Sequence, residues 1–174
     1  MKKIIVFGAT GNVGSYFTKY ASEYFDRKEY EVIASGRRKT ADVFQDMGVE
    51  YLSVDITKPE DFEKLPKDGV HAVVLLAAEI PAYMDGYHPE RYIESIIKGA
   101  YHVLEYCRRN GVDRILYSTT CFDVWEYPKD TVIKPDAPKN FSYTGDHAMY
   151  VICKNTALEL LEHYRQQYGL KTFA

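Results

Sequence analysis

Only three cysteines, Cys107, Cys121 and Cys153, occur in 174 residues. Odd in number and widely spaced, they suit neither a disulfide framework nor a zinc site, so no metal is expected. Such sparing use points to a reducing compartment, and the expected location is the cytoplasm. Cys153 is read as a packing residue. No apolar run approaches the roughly 20 residues that a membrane-crossing helix needs, so no membrane partner is expected. An excess of positive charge is missing too. With 22 basic against 25 acidic residues the net charge is −3, which gives no nucleic-acid footprint. Internal repeats, low-complexity tracts and linkers are absent, and the length suits one well-buried domain spanning 1–174 rather than two. What is present, 46% hydrophobic and 27% charged residues, is the composition of an ordinary globular protein.

The apolar pattern alternates between two periods along the chain. "KIIVFG" (3–8) is a continuous apolar strand of the kind buried on both faces of a parallel sheet. Its four apolar residues before Gly8 are too few for a secretion signal, despite the basic start. From Asn12 the aromatics Tyr16, Phe17, Tyr20 and Tyr24 recur at helical spacing until the charged residues 26–29. Strands follow at 30–35, 49–55, 71–78 and 114–119, with a short helix at 41–48, a weak one at 58–64 and a long one at 89–110. Residues 121–146 carry three prolines and no period, which predicts a long functional loop. A helix over 147–168 ends at Gly169, and "LKTFA" begins a sixth strand. This alternation predicts an α/β fold, a doubly wound parallel sheet flanked by helices. The chain stops one strand into an element that should continue, and the expectation is a shortened or truncated product.

"FGATGNVG" places Gly8, Gly11 and Gly14 between the first strand and the first helix, with Thr10, Asn12 and Val13 among them. Gly8 permits the tight turn, Gly11 leaves room for a pyrophosphate, and Gly14 lets the helix pack close to the sheet. The helix N-terminus offers unpaired N–H groups and partial positive charge to phosphates. The alternative is a glycine-rich loop that binds nothing. At the end of strand two, where an NAD site usually carries a carboxylate, the chain reads "ASGRRKT". Arg37 and Arg38 suit a 2′-phosphate better than a bare ribose, so NADP is expected, with NAD the alternative. A solvated basic turn is the plainer reading.

"GATGNVG", "VDIT" after strand three, "LLAA" after strand four, "LYSTT" after strand five and "YVICK" opening the next helix occur in that order. Together they resemble the extended short-chain dehydrogenase/reductases, the NAD-dependent epimerase/dehydratase branch, from Lys3 to Ala174. The resemblance implies a Rossmann-like domain in which Asp55 and Ile56 border the adenine. Ala77 and Ala78 would line the path to the ribose and nicotinamide. It also implies that Tyr150 moves a proton to or from the substrate oxygen during hydride transfer. Lys154 would hold the nicotinamide ribose and lower the phenol's pKa, with help from the cofactor's charge. Thr120 would hydrogen-bond the substrate oxygen, with Thr119 or Ser118 serving if the register is shifted.

There are departures. Ile96 stands where the family often has asparagine, and "DVWEYP" replaces a frequent "V-Y-G". Trp125 and Tyr127 either reach the substrate cleft or pack the loop. Family members continue into a smaller substrate lobe, and this chain is expected to be truncated before it. The resemblance implies an epimerase, dehydratase or reductase acting on a nucleotide-sugar or related hydroxyl or carbonyl substrate. The helices 89–110 and 147–168 would pair two subunits in a homodimer. A non-catalytic NADP(H)-binding sensor and an inactive fragment of a longer enzyme are the alternatives.

Overall fold

The computed structural model describes residues 1–81 and 86–174 of the chain. Six strands form one parallel sheet: β1 (Lys2–Phe7), β2 (Tyr30–Gly36), β3 (Glu50–Ser53), β4 (Val70–Leu75), β5 (Arg114–Tyr117) and β6 (Lys171–Phe173). Their order is β3-β2-β1-β4-β5-β6. The apolar run of β1 lies at the centre because it has neighbours on both edges. Ile5 pairs with Ile33 of β2 and with Val73 of β4, and Val73 pairs in turn with Ile115 of β5. Successive side chains of a strand point to opposite faces. Ile5 and Phe7 therefore join one core with Ile33, Leu75 and Ile115, while Ile4 and Val6 join another with Ala34 and Val74. Both faces need cover, as the continuous apolar run required.

Helix α1 (Asn12–Tyr24) covers the second core. The aromatic stripe does mark a helix, but most of it faces solvent: Tyr16, Tyr20 and Tyr24 are between 55% and 73% exposed, while Phe17 is half-buried against the second core. The buried face is Gly14, Thr18, Ala21 and Ser22. Small residues there let the helix axis approach the sheet closely, which large rings would prevent. The first core is covered by α3 (Gly99–Arg109) and α4 (Ala148–Tyr168), through residues such as Val103, Leu104, Val151 and Leu161.

Three elements differ from expectation. The helix at 41–48 contracts to one 3-10 turn, Asp42–Phe44, that plants Phe44 in the core, and the helix at 58–64 is 3-10 over Pro59–Lys64. Segments this short cannot offset the cost of nucleating an α-helix. The long helix is not uniform either. A first α-helical turn, α2 (Pro89–Tyr92), passes through a π-helical stretch, Ile93–Lys98, before α3 begins. The expected loop at 121–146 opens with a 3-10 turn, Cys121–Val124, and is pinned to itself by Asn140 N–H on the Asp123 carbonyl at 2.7 Å and Glu126 N–H on the Asn140 carbonyl at 3.0 Å.

Candidate active site

In a parallel sheet all C-terminal strand ends fall on one edge, and a ligand crevice opens where the winding direction reverses. Here that reversal lies between β1 and β4. Each candidate residue of the turns follows one of these ends. The glycine turn follows β1, Arg37 and Arg38 follow β2, Asp55 and Ile56 follow β3, Ala77 and Ala78 follow β4, and Thr120 follows β5. The register of the sheet thus gathers residues that are far apart in sequence.

The fit of the glycine turn to a dinucleotide depends on what a side chain at each position would meet. Gly8 has φ +84°, and a Cβ there would lie 2.6 Å from the Ala77 nitrogen. At Gly14 a Cβ would fall 2.1 Å from the Gly8 carbonyl oxygen. Both positions are dictated by the protein's own packing. Gly11 is different. A Cβ there would touch only the Gly8 oxygen, at 3.2 Å, and the residue is otherwise open to solvent beside exposed Asn12 and Val13. Thr10 lies in the same turn, against Gly36 at the end of β2. Among the described residues no side chain caps α1, so its first N–H groups are left without a side-chain acceptor, in the turn that follows β1. A backbone left bare at a helix N-terminus is what a pyrophosphate requires.

The far end of the crevice is more engaged than charge alone suggests. The Arg37 Nη2 lies 3.2 Å from Glu79 Oε2, an ion pair joining the ends of β2 and β4. Arg38 is exposed, and its carbonyl accepts a hydrogen bond from the Tyr51 hydroxyl at 2.8 Å. The Asp55 carboxylate is occupied locally, accepting from the Thr57 N–H and hydroxyl at 3.0 and 2.8 Å. Ile56 is buried, its carbonyl against His102 Nδ1 at 2.8 Å. Ala77 and Ala78 are half-buried and pack on the first core. A void of about 230 Å³ adjoins this end, lined by Arg37, Thr57, Glu79, Arg91, Glu94 and Ser95. Sequence reasoning passed over Glu79, although it directly follows "LLAA".

Tyr150 and Lys154 lie one turn apart on α4, where the (i, i+4) spacing puts them on one face. Tyr150 is buried, with the Tyr92 and Phe122 rings meeting it edge-on at 5.9 and 6.3 Å. Burial pushes its phenol above the usual value, and the Thr120 side chain beside it pulls the other way. Thr120 also accepts a hydrogen bond from the Phe122 N–H at 3.2 Å, capping the turn that follows β5. Lys154 is 3% exposed. Its Nζ donates to the Ser118 carbonyl at 2.5 Å and lies 3.3 Å from the Ser118 hydroxyl and 4.4 Å from the centre of the Tyr117 ring. Burial lowers this ammonium to about 8, although the Ser118 carbonyl favours the charged form. The expected lowering of the phenol draws on the cofactor's charge as well as on Lys154. The ammonium is turned to the backbone after β5, and desolvation dominates at Tyr150. The geometry thus groups Thr120 with Tyr150 and Ser118 with Lys154. Tyr92 and Phe122 were not foreseen; they come from segments with no local link to Tyr150.

Among the described residues no group of His, Cys, Asp or Glu is placed to hold a metal ion, and no helix is long and apolar enough to cross a membrane. No curated protein matches the chain. Solved structures do match in fold. A UDP-galactose 4-epimerase superimposes with a TM-score of 0.80 at 17% identity, covering 98% of this chain and 54% of the other. A Thermus thermophilus UDP-glucose 4-epimerase in complex with NAD gives 0.77 at 23%, covering 98% and 53%. The uronate dehydrogenase of Agrobacterium tumefaciens gives 0.77 at 19%, covering 99% and 59%. The chain therefore spans little more than half the length of these proteins. The model of the NAD dependent epimerase/dehydratase family matches residues 4–174. By that match, this chain belongs to the NAD dependent epimerase/dehydratase family.

Proposed function

We propose that the chain carries the dinucleotide-binding and proton-transfer half of an epimerase, dehydratase or reductase acting on a hydroxyl or carbonyl of a nucleotide-sugar or related substrate. The observation that carries this reading is the convergence of the open Gly11 backbone with Thr120, Tyr150 and Lys154 on one edge of the sheet. Gly8, Thr10, Gly11, Asn12, Val13 and Gly14 would cradle the pyrophosphate. Ile56 and Asp55 would border the adenine, and Ala77 and Ala78 would flank the nicotinamide ribose with Lys154. When bound, the dinucleotide supplies hydride transfer.

The chain's own residues supply the proton chemistry. With its pKa raised by burial, the Tyr150 phenol keeps its proton at neutral pH, so it is set up to donate to an oxygen that gains negative charge. Thr120, beside it, would hydrogen-bond the same oxygen and fix its position. The Lys154 ammonium, held by Ser118, places a positive charge at the base of the site. Charge lowers the cost of forming a phenolate in the reverse direction.

Arg37 and Arg38 taken by themselves favour NADP, with NAD the alternative. The neighbours' printed names support a sugar substrate, and the active form is taken to be a homodimer joined through the helical segments 89–110 and 147–168, working in the cytoplasm. The test is Tyr150→Phe. Turnover of sugar nucleotides should fall by at least about a hundredfold, while dinucleotide affinity stays within about threefold. Turnover that survives the substitution overturns the assignment of Tyr150.

A further inference from the structure

The charge count that favours NADP treats Arg37 as free. It is not. Glu79 reaches across from the end of β4 and lies 3.2 Å from the guanidinium. The two partners are unequally placed, with the Arg37 side chain 66% exposed and that of Glu79 only 15%. Glu79 is also anchored through its backbone. Its N–H donates to the Ser95 hydroxyl at 3.0 Å, and that hydroxyl donates to the Arg91 carbonyl at 2.8 Å. Ser95 lies within the π-helical stretch Ile93–Lys98. A single widened turn of this kind re-aims side chains and recurs at functional positions. Here it sets a buried serine against the end of β4.

We propose that Glu79 is a cofactor-selectivity residue, replacing from β4 the carboxylate missing at the end of β2 and holding the site toward NAD. This rests on the dinucleotide reading above. A carboxylate at this place accepts hydrogen bonds from ribose hydroxyls and repels a 2′-phosphate. It also occupies the guanidinium that the phosphate would otherwise claim. Arg91, Glu90 and Glu94 line the same void, but Glu94 is paired with Lys98 and Glu90 lies against His88, so Glu79 is the carboxylate that faces Arg37. Among the described residues Arg38 is the arginine of the pair whose side chain makes no ion pair, so the contact with Glu79 halves the positive charge the turn offers to a 2′-phosphate.

The test is a calorimetric titration of the chain with NADH and with NADPH, in wild type, Glu79→Gln and the double variant Glu79→Gln/Arg37→Ala. The wild type should bind NADH at least as tightly as NADPH. Glu79→Gln, close to isosteric, should tighten NADPH by about tenfold or more while NADH changes by less than about threefold. Adding Arg37→Ala should remove that gain. A ratio of the two affinities unchanged in Glu79→Gln, or both affinities moving together, overturns the assignment of Glu79 and leaves the dinucleotide reading standing. Binding of neither cofactor to the wild type overturns that reading, and this assignment with it.

Discussion

Lys154 is the residue whose position the fold has most reason to resist. An ammonium taken out of water is costly unless partners compensate for the lost hydration. Its compensation is a carbonyl, a hydroxyl and a ring face, all supplied by residues 117 and 118 at the end of β5. With the folded value lowered to about 8 and the ordinary value at 10.5, the sign of the pH effect follows. Between those values the unfolded chain holds a proton that the folded chain has released. Wild-type stability should therefore rise with pH across that window relative to Lys154→Met, by up to about 3 kcal/mol. Below pH 8 the full cost is present, so Lys154→Met should be the more stable protein at pH 7. Urea unfolding of both proteins at pH 7 and pH 10 checks this, and a difference that stays constant would mean that Lys154 is not desolvated. The spacing of Tyr150 and Lys154 was legible from the sequence because a helix makes (i, i+4) neighbours. The direction of the ammonium was not, since Ser118 is 36 residues away and reaches Lys154 only through the pairing of β5 with its neighbours.

Elements divide the three glycines of the turn into two kinds. Gly14 belongs to the contact between α1 and the turn after β1, where a Cβ would meet backbone atoms of Gly8 and Ala9 that cannot move aside. Gly14→Ala should destabilise the domain by about 3 kcal/mol, read as a lowered urea midpoint. The long helix offers a milder case. A Cβ at Gly99, the first residue of α3, would fall 2.6 Å from the end of the buried Ile56 side chain. Gly99→Ala should cost about 1 kcal/mol or more and shift Ile56 at the proposed adenine border. Retained stability together with unchanged dinucleotide affinity would argue against that border. Helix α1 was marked by an aromatic spacing that largely faces solvent. The strands could be read from continuous apolar runs buried on both faces, and α4 from the regular face it buries. The π-helical stretch could not, since one extra residue per turn leaves the apolar spacing of Ile93, Ile96 and Ile97 looking helical. The aromatic stripe of α1 marks a helix without marking its buried face. Periodicity reveals a face, while the small residues opposite it decide which face can approach the sheet.

At the scale of the whole molecule, the parallel order β3-β2-β1-β4-β5-β6 converts separate sequence motifs into one edge. The glycine turn, "VDIT", "LLAA" and "LYSTT" each followed a strand, so strand order alone was enough to assemble them. Glu79 escaped notice because its importance depends on a contact with Arg37, 42 residues earlier. The central claim is that this edge holds a nicotinamide dinucleotide against a backbone left bare at Gly11. The measurement that tests it most directly is NADH and NADPH binding to wild type and Gly11→Ala, with urea unfolding of both in parallel. Because the added Cβ meets only one protein atom, stability should stay within about 1 kcal/mol, while affinity for the better-bound dinucleotide falls by at least about tenfold. A Gly11→Ala protein that binds as tightly as wild type would contradict the account, since the open backbone would then have no ligand to admit.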